Sequence, residues 1–307
     1  MEVPSTAESD RIGFRPAVSH EYDEAAITSE LRFAGSPAIV RAMLRTFVSL
    51  ICILSPALPA AAASSTWVKS GGGAVRIVTS GLSDKEGLLR GAIEIRLEPG
   101  WKTYWRDPGE AGIPPRLHLS AASDASAAEL LFPPPERISN PYATWAGYSR
   151  PVSFPVLFRL GTPRSAGIIE GTLFVGVCET ICVPVEAPFS FDAGADPDNP
   201  QDAMVVTAAF AELPAPASED FRISAVSQEE GHLVFQSRLP EDAAEASLFL
   251  AAPEGLRVGP PEIVSKKDGA ATFSASLLSP LPSGAVEIDY TLTADGDAVA
   301  GTVTLRE

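Results

Sequence analysis

Sulfur is scarce in this chain of 307 residues, which holds three cysteines and three methionines. Histidine is as rare, at three, and neither His-Glu-x-x-His nor Gly-x-Ser-x-Gly occurs, so the metalloprotease and serine-hydrolase signatures are missing. Basic residues number 23 against 39 acidic ones, a net charge of −16, and no Lys/Arg run could track a phosphate backbone or an anionic membrane surface. Nucleic acid is therefore excluded as a partner. The scattered Asp and Glu residues read as a solvated face that favours solubility, and no cofactor is expected.

Hydrophobic residues make up 45% of the chain, with 28 prolines and 24 glycines, enough for one large or two ordinary domains with real cores. Residues 43–63 have the layout of a secretory signal peptide: a basic start at Met43-Leu-Arg45, an apolar segment from Phe47 to Ala60, and Ala61-Ala62-Ala63 before Ser64. A transmembrane anchor is the alternative. Pro56 and Pro59 weigh against it, because they interrupt a run near the lower spanning limit of about 17 residues. Cys52 would leave with the signal, and Ser49-Leu50-Ile51 before it lacks the small residue of a lipoprotein cysteine. Residues 1–42, with mixed charge, His20 and no apolar period, are expected to be a disordered extension. The mature chain is then exported to an oxidising space where two cysteines can pair.

From Trp67 onward, short alternating or β-branched segments are punctuated by turn residues: AVRIVTSG, LLRGAIEIRLEPGW, VSFPVLFRL, GIIEGTLFVGVC and CVPVEAPFSFD. The pattern predicts an all-β fold with a sandwich of antiparallel sheets over residues 66–193. Residues 194–218 read as a polar, proline-bearing linker with a short helix over Ala203–Leu213. Residues 219–307 alternate again, as in Val286-Glu-Ile288-Asp-Tyr290-Thr-Leu292, and predict a second, tandem β-sandwich that acts as a spacer or a binding module.

The two remaining cysteines, Cys178 and Cys182, stand in VCETICVP. On one straight strand they would share a face but lie roughly 13 Å apart, too far for a disulfide, whose Cα atoms sit within about 7 Å. Either the pair is reduced, or the chain turns at Glu179-Thr180-Ile181. A hairpin would set the cysteines opposite each other at about 4.5–5.5 Å. Closing so small a loop stabilises by only about 2 kcal/mol, which makes a structural staple a modest use of the bond. A local bond at a hairpin tip is open to attack by another thiolate, with both sulfurs close enough for resolution. Copper(I) would also suit two thiolates, but Met204, His118 and His232 are the only further soft or imidazole ligands of the mature chain, and none is near the pair in sequence. No metal site is assigned.

Three segments carry a resemblance: GWKTYWRDPGEAGIPP (Gly100 to Pro115), ATWAGYSRPVSFPV (Ala143 to Val156) and GVCETICVPVEAPFSF (Gly176 to Phe191). In order and wording they resemble the periplasmic N-terminal domain of the DsbD and ScsB family of thiol:disulfide interchange proteins. The resemblance implies an immunoglobulin-like sandwich in the periplasm, with Cys178 and Cys182 as the redox pair of a thiol:disulfide oxidoreductase or relay domain. It implies two kinds of partner, a membrane-embedded thiol reductase and thioredoxin-like periplasmic proteins. It also implies an aromatic cap loop over the cysteines, for which Trp145 and Tyr148 are the candidates. Trp101, Tyr104 and Trp105 line the same surface or fill the core. The family's membrane-spanning and thioredoxin-like domains find no counterpart in the sequence, so the reductase is expected to be separately encoded. The alternative reading is a non-catalytic periplasmic binding module linked to copper tolerance or envelope assembly.

Overall fold

The computed structural model describes residues 63–110, 112–139 and 144–306. The expected extension 1–42 and all of the expected signal peptide except Ala63 lie outside the described residues. Eleven strands build the first sandwich: β1 (Val68–Ser70), β2 (Gly73–Thr79), β3 (Leu88–Leu97), β4 (Lys102–Tyr104), β5 (Arg116–Leu119), β6 (Ala125–Leu130), β7 (Glu136–Ser139), β8 (Thr144–Tyr148), β9 (Val152–Leu160), β10 (Ile168–Cys178) and β11 (Cys182–Asp192). One sheet runs β1-β2-β3-β9-β6. The other runs β11-β10-β4-β8-β7, with β5 also on β10. All of these pairings are antiparallel.

Alternation explains most of this packing. In β11, Val185, Ala187, Phe189 and Phe191 are buried while Pro184, Glu186, Pro188 and Ser190 face solvent, the period of two that a one-sided sheet requires. The inward residues meet Ile77, Leu89, Ile93, Phe154, Phe158 and Trp105 in one continuous core.

After β11 comes a helix, α1 (Pro200–Ala211). It begins earlier than Ala203 because Asn199 caps it: its side chain accepts hydrogen bonds from the backbone N–H groups of Gln201 and Asp202, and Pro200 fits the first turn. Val206 and Ala209 pack on Val78 and Ala92 of the first sandwich. The remaining strands are β12 (Ala215–Pro216), β13 (Arg222–Glu229), β14 (His232–Arg238), β15 (Ala246–Ala251), β16 (Glu262–Lys267), β17 (Ala270–Ser276), β18 (Val286–Ala294) and β19 (Asp297–Leu305). They form sheets β12-β19-β18-β15 and β13-β14-β17-β16 around a second core that includes Leu233, Phe235, Phe273, Ile288 and Leu292. No helix among the described residues is long and apolar enough to cross a membrane.

The two sandwiches meet through specific contacts. Phe249 of β15 joins the first core and meets Trp105 edge-on, with ring centroids 6.1 Å apart. Arg106 pairs with Asp289 at 3.2 Å, Arg137 donates to the Leu248 carbonyl at 2.7 Å, and the Ala252 N–H donates to Asp107 at 3.2 Å.

Candidate functional site

The β10–β11 hairpin pairs residue by residue from Ile168 opposite Asp192 to Cys178 opposite Cys182. Its prolines fix which pairs exchange hydrogen bonds. Pro184 faces Gly176 and Pro188 faces Thr172, and a proline has no N–H to give. Those pairs are therefore non-hydrogen-bonded, and so is Cys178–Cys182, two residues further along the ladder. Such pairs are the narrow ones of an antiparallel ladder, with Cα atoms about 4.5 Å apart. Here the Cα–Cα distance is 4.1 Å, and the cysteines are joined by a disulfide.

Toward the cysteines, β10 stops alternating. Val175, Gly176, Val177 and Cys178 are all buried, because a second layer covers the outer face of this end. That layer consists of Tyr104 and Trp145, with Ile113 and Ile138 packed beside them. Strand β4 is held against β10 by the Thr103 hydroxyl, which donates to the Gly176 carbonyl at 2.9 Å. Gly176 makes the close approach possible. A Cβ there would lie 2.7 Å from Ile113 Cβ and 3.0 Å from Tyr104 Cδ2. Gly100, at φ 86°, supplies the left-handed turn that brings the chain into β4.

The Tyr104 hydroxyl lies 3.0 Å from Sγ of Cys178 and 3.0 Å from Sγ of Cys182. Burial pushes its pKa above the ordinary value, so the phenol stays protonated and can donate to whichever sulfur carries charge. Lys102 stands directly across from Cys178 on β4, its Nζ 5.2 Å from the centre of the Trp145 ring. The sulfurs differ in access. Cys178 is 2% exposed, whereas Cys182 is half-buried next to the tip residue Ile181, which is 77% exposed.

The structure brings Cys178, Cys182 and Trp145 together, but not Tyr148. Trp145 and Tyr148 lie on strand β8 rather than in a loop, and their spacing of three turns them to opposite faces. Tyr148 enters the main core, packs on Phe154 at 5.3 Å between ring centroids and donates to the Pro133 carbonyl at 2.8 Å. Trp105, adjacent to Tyr104, likewise faces the core. The contact that sequence reasoning did not isolate is Tyr104 on both sulfurs. Its signal was the strand alternation Lys102-Thr-Tyr104, which sets Lys102 and Tyr104 on the cysteine face. His118, Met204 and His232 are spread over β5, α1 and β14, and among the described residues no group of three or more His, Cys, Asp or Glu side chains could hold a metal ion.

Residues 81–193 match the family model described as thiol:disulfide interchange protein DsbD, N-terminal. Among solved structures, the N-terminal periplasmic domain of ScsB from Proteus mirabilis is similar with a TM-score of 0.69 at 20% identity, covering 80% of this chain and 100% of that one. At that identity the likeness speaks to the fold. The C-terminal domain of the antigen I/II-family protein AspA from Streptococcus pyogenes aligns over 80% of this chain and 99% of that one at 11% identity, with a TM-score of only 0.17. No curated protein sequence matches the chain.

Proposed function

We propose that this chain, whose residues 81–193 match the DsbD N-terminal family model, carries out thiol:disulfide exchange in the periplasm through Cys178 and Cys182. The observation that carries the reading is a local disulfide pair at a hairpin tip with unequal access: one sulfur buried, one half-buried, and a single tyrosine hydroxyl on both. Cys182 is the exchanging sulfur. In the oxidised state a partner thiolate attacks Cys182 Sγ, the Cys178–Cys182 bond breaks, and Cys178 leaves as a thiolate. In the reduced state the Cys182 thiolate attacks a partner disulfide, and Cys178 then attacks Cys182 Sγ to release the partner. Each full cycle moves two electrons and two protons.

Tyr104 donates a hydrogen bond to the sulfur that becomes anionic, and Lys102 adds positive charge beside Cys178. Trp145 covers the pair on the sheet side, which leaves approach past Ile181 as the open route. The partners are a membrane-embedded thiol reductase on one side and thioredoxin-like periplasmic proteins on the other.

The test is trapping. Cys178→Ser should leave the Cys182 thiolate free to attack a thioredoxin-like protein that lacks its resolving cysteine and carries its remaining one as the nitrothiobenzoate mixed disulfide, forming a lasting inter-protein disulfide as nitrothiobenzoate thiolate leaves. Cys182→Ser should form little or none. If neither variant gives an adduct, the exchange reading fails; if Cys182→Ser is the better trap, the roles of the two sulfurs are reversed.

A further inference from the structure

Tyr104 closes a short strand. β4 has three residues and pairs with β10 only at Lys102 and Thr103, and with β8 only at Thr103 and Tyr104. So brief a ladder has few hydrogen bonds to resist local opening. What holds the chain after Tyr104 therefore bears on whether its hydroxyl keeps its place. Trp105 meets Phe249 of β15 edge-on, with ring centroids 6.1 Å apart. Arg106 pairs with one carboxylate oxygen of Asp289 at 3.2 Å, and the other oxygen accepts from the Thr302 hydroxyl at 2.7 Å. Asp107 accepts from the Ala252 N–H at 3.2 Å. The three residues that follow Tyr104 thus each have a partner on the second sandwich.

The other covering strands are tied down from the same side. Arg137 of β7 donates to the Leu248 carbonyl and stacks over Phe249, its guanidinium 5.0 Å from the ring centre. The Trp105 N–H donates to the Ala146 carbonyl and the Ala146 N–H to the Pro108 carbonyl, both at 3.2 Å, which binds this segment to β8 beside Trp145. Alternation sorts the side chains. Tyr104, Trp145 and Ile138 pack with the cysteines, while their neighbours Trp105 and Ala146 face the main core and Arg137 reaches Phe249. Alternation within β15 does the same: Leu248 and Leu250 enter the second core, and Phe249 between them enters the first. The packing of Phe249 is spent across the junction, on residues next in sequence to those that cover the sulfurs.

We infer that the second sandwich positions the chemistry of the first: Phe249, in contact with both Trp105 and Arg137, holds the covering strands so that the Tyr104 hydroxyl stays on the Sγ atoms of Cys178 and Cys182. Phe249 is a positioning residue, acting through Trp105 on Tyr104. The inference rests on the exchange reading above, and it gives the second sandwich a part in the reactivity of the disulfide in place of the role of a spacer.

The test is a double-mutant cycle on the oxidised full chain, read as the rate of reduction by dithiothreitol. One dithiothreitol thiolate attacks Cys182 Sγ, the Cys178–Cys182 bond breaks, and Cys178 departs as a thiolate that takes up a proton. The second dithiothreitol sulfur, its proton lost, attacks the mixed disulfide; dithiothreitol leaves as its cyclic disulfide and Cys182 is reduced. Phe249→Ala should slow this about fivefold, a coupling of the size found within one packed network, and Phe249→Leu should slow it less. In a Tyr104→Phe background Phe249→Ala should slow it no further, because the hydroxyl it positions is gone. Phe273→Leu loosens the second core on the sheet opposite β15 and should leave the rate unchanged. An unchanged rate in Phe249→Ala, equal slowing with and without the hydroxyl, or comparable slowing in Phe273→Leu would overturn the inference. Should Phe249→Ala fail to fold by circular dichroism, the same cycle on Phe249→Leu decides by the same criteria. Dithiothreitol needs no protein partner, so the two readings fail separately: trapping that succeeds beside an additive cycle removes the positioning role alone, and a coupled cycle beside failed trapping removes the exchange reading alone.

Discussion

The hydroxyl of Tyr104 stands 3.0 Å from the Sγ of Cys178, and the same oxygen reaches Cys182 at 3.0 Å. One donor therefore serves both sulfurs, and it serves best when one of them is a thiolate. Tyr104→Phe keeps the ring in its place and removes that donor. A hydrogen bond to a charged group contributes roughly 1.5–3 kcal/mol, so exchange with a small dithiol should slow about tenfold or more. Stopped-flow kinetics check this, and thiol alkylation of the reduced variant should require higher pH. An unchanged rate would leave Tyr104 a packing residue.

Trp145 is 6% exposed and packs on Cys178. Trp145→Ala should have two separable effects. Stability should fall by about 3–5 kcal/mol, as for other buried aromatic truncations. Under conditions where the variant remains folded, reduction by a bulky phosphine should become faster, because the sheet-side cover is gone. Equal reduction rates would argue that Trp145 does not limit access.

Gly176 tests the close approach of the covering layer to β10. Gly176→Ala would place a methyl 2.7 Å from Ile113 Cβ and 3.0 Å from the Tyr104 ring. Overpacking of this kind costs about 1–3 kcal/mol and should displace the ring that carries the hydroxyl. Urea unfolding measures the first effect; a loss of exchange rate comparable to that of Tyr104→Phe measures the second. An alanine variant with native exchange would show that the ring can shift without consequence.

Asp202, on the first turn of α1, provides a pH test remote from the cysteines. Burial raises its carboxyl pKa above the ordinary 3.8, with Arg76 pulling in the opposite direction. The folded state thus holds this proton more tightly than the unfolded chain. The group's contribution is fully present below the unfolded pKa and is lost as pH rises through the folded one. Asp202→Asn cannot ionise, so it should gain on the parent as pH climbs from below 3.8 toward neutrality. Unfolding midpoints across that range check the sign, and a gap that does not change with pH would contradict it.

How far the sequence could be read depended on how local the physics was. The alternation in β11 and β18 is written in neighbouring residues, and three residues between Cys178 and Cys182 suffice for a hairpin. Trp145 and Tyr148 were less legible. Read as a loop they could both cover the cysteines, but once β8 is a strand their odd spacing sends one to the sulfurs and the other to the core. The same rule parts Tyr104 from Trp105. The junction of the sandwiches was not legible at all. It depends on Arg137 meeting Leu248 and on Trp105 meeting Phe249, pairs far apart in sequence whose residues have no pattern in common.

The prolines of β11 bear on more than the width of the cysteine pair. This strand is the rim of its sheet, and the residues in step with Pro184 and Pro188 are those whose main-chain groups face outward. Two of the donors that a foreign strand would seek are therefore missing from the rim that ends at Cys182. A protein that exchanges disulfides with other chains, the role proposed above, would otherwise offer them a template for zippering into lasting β-aggregates. Here the hairpin can touch an exchange partner at its tip while its flank gives a poor template for polymerisation, so an encounter can end in release.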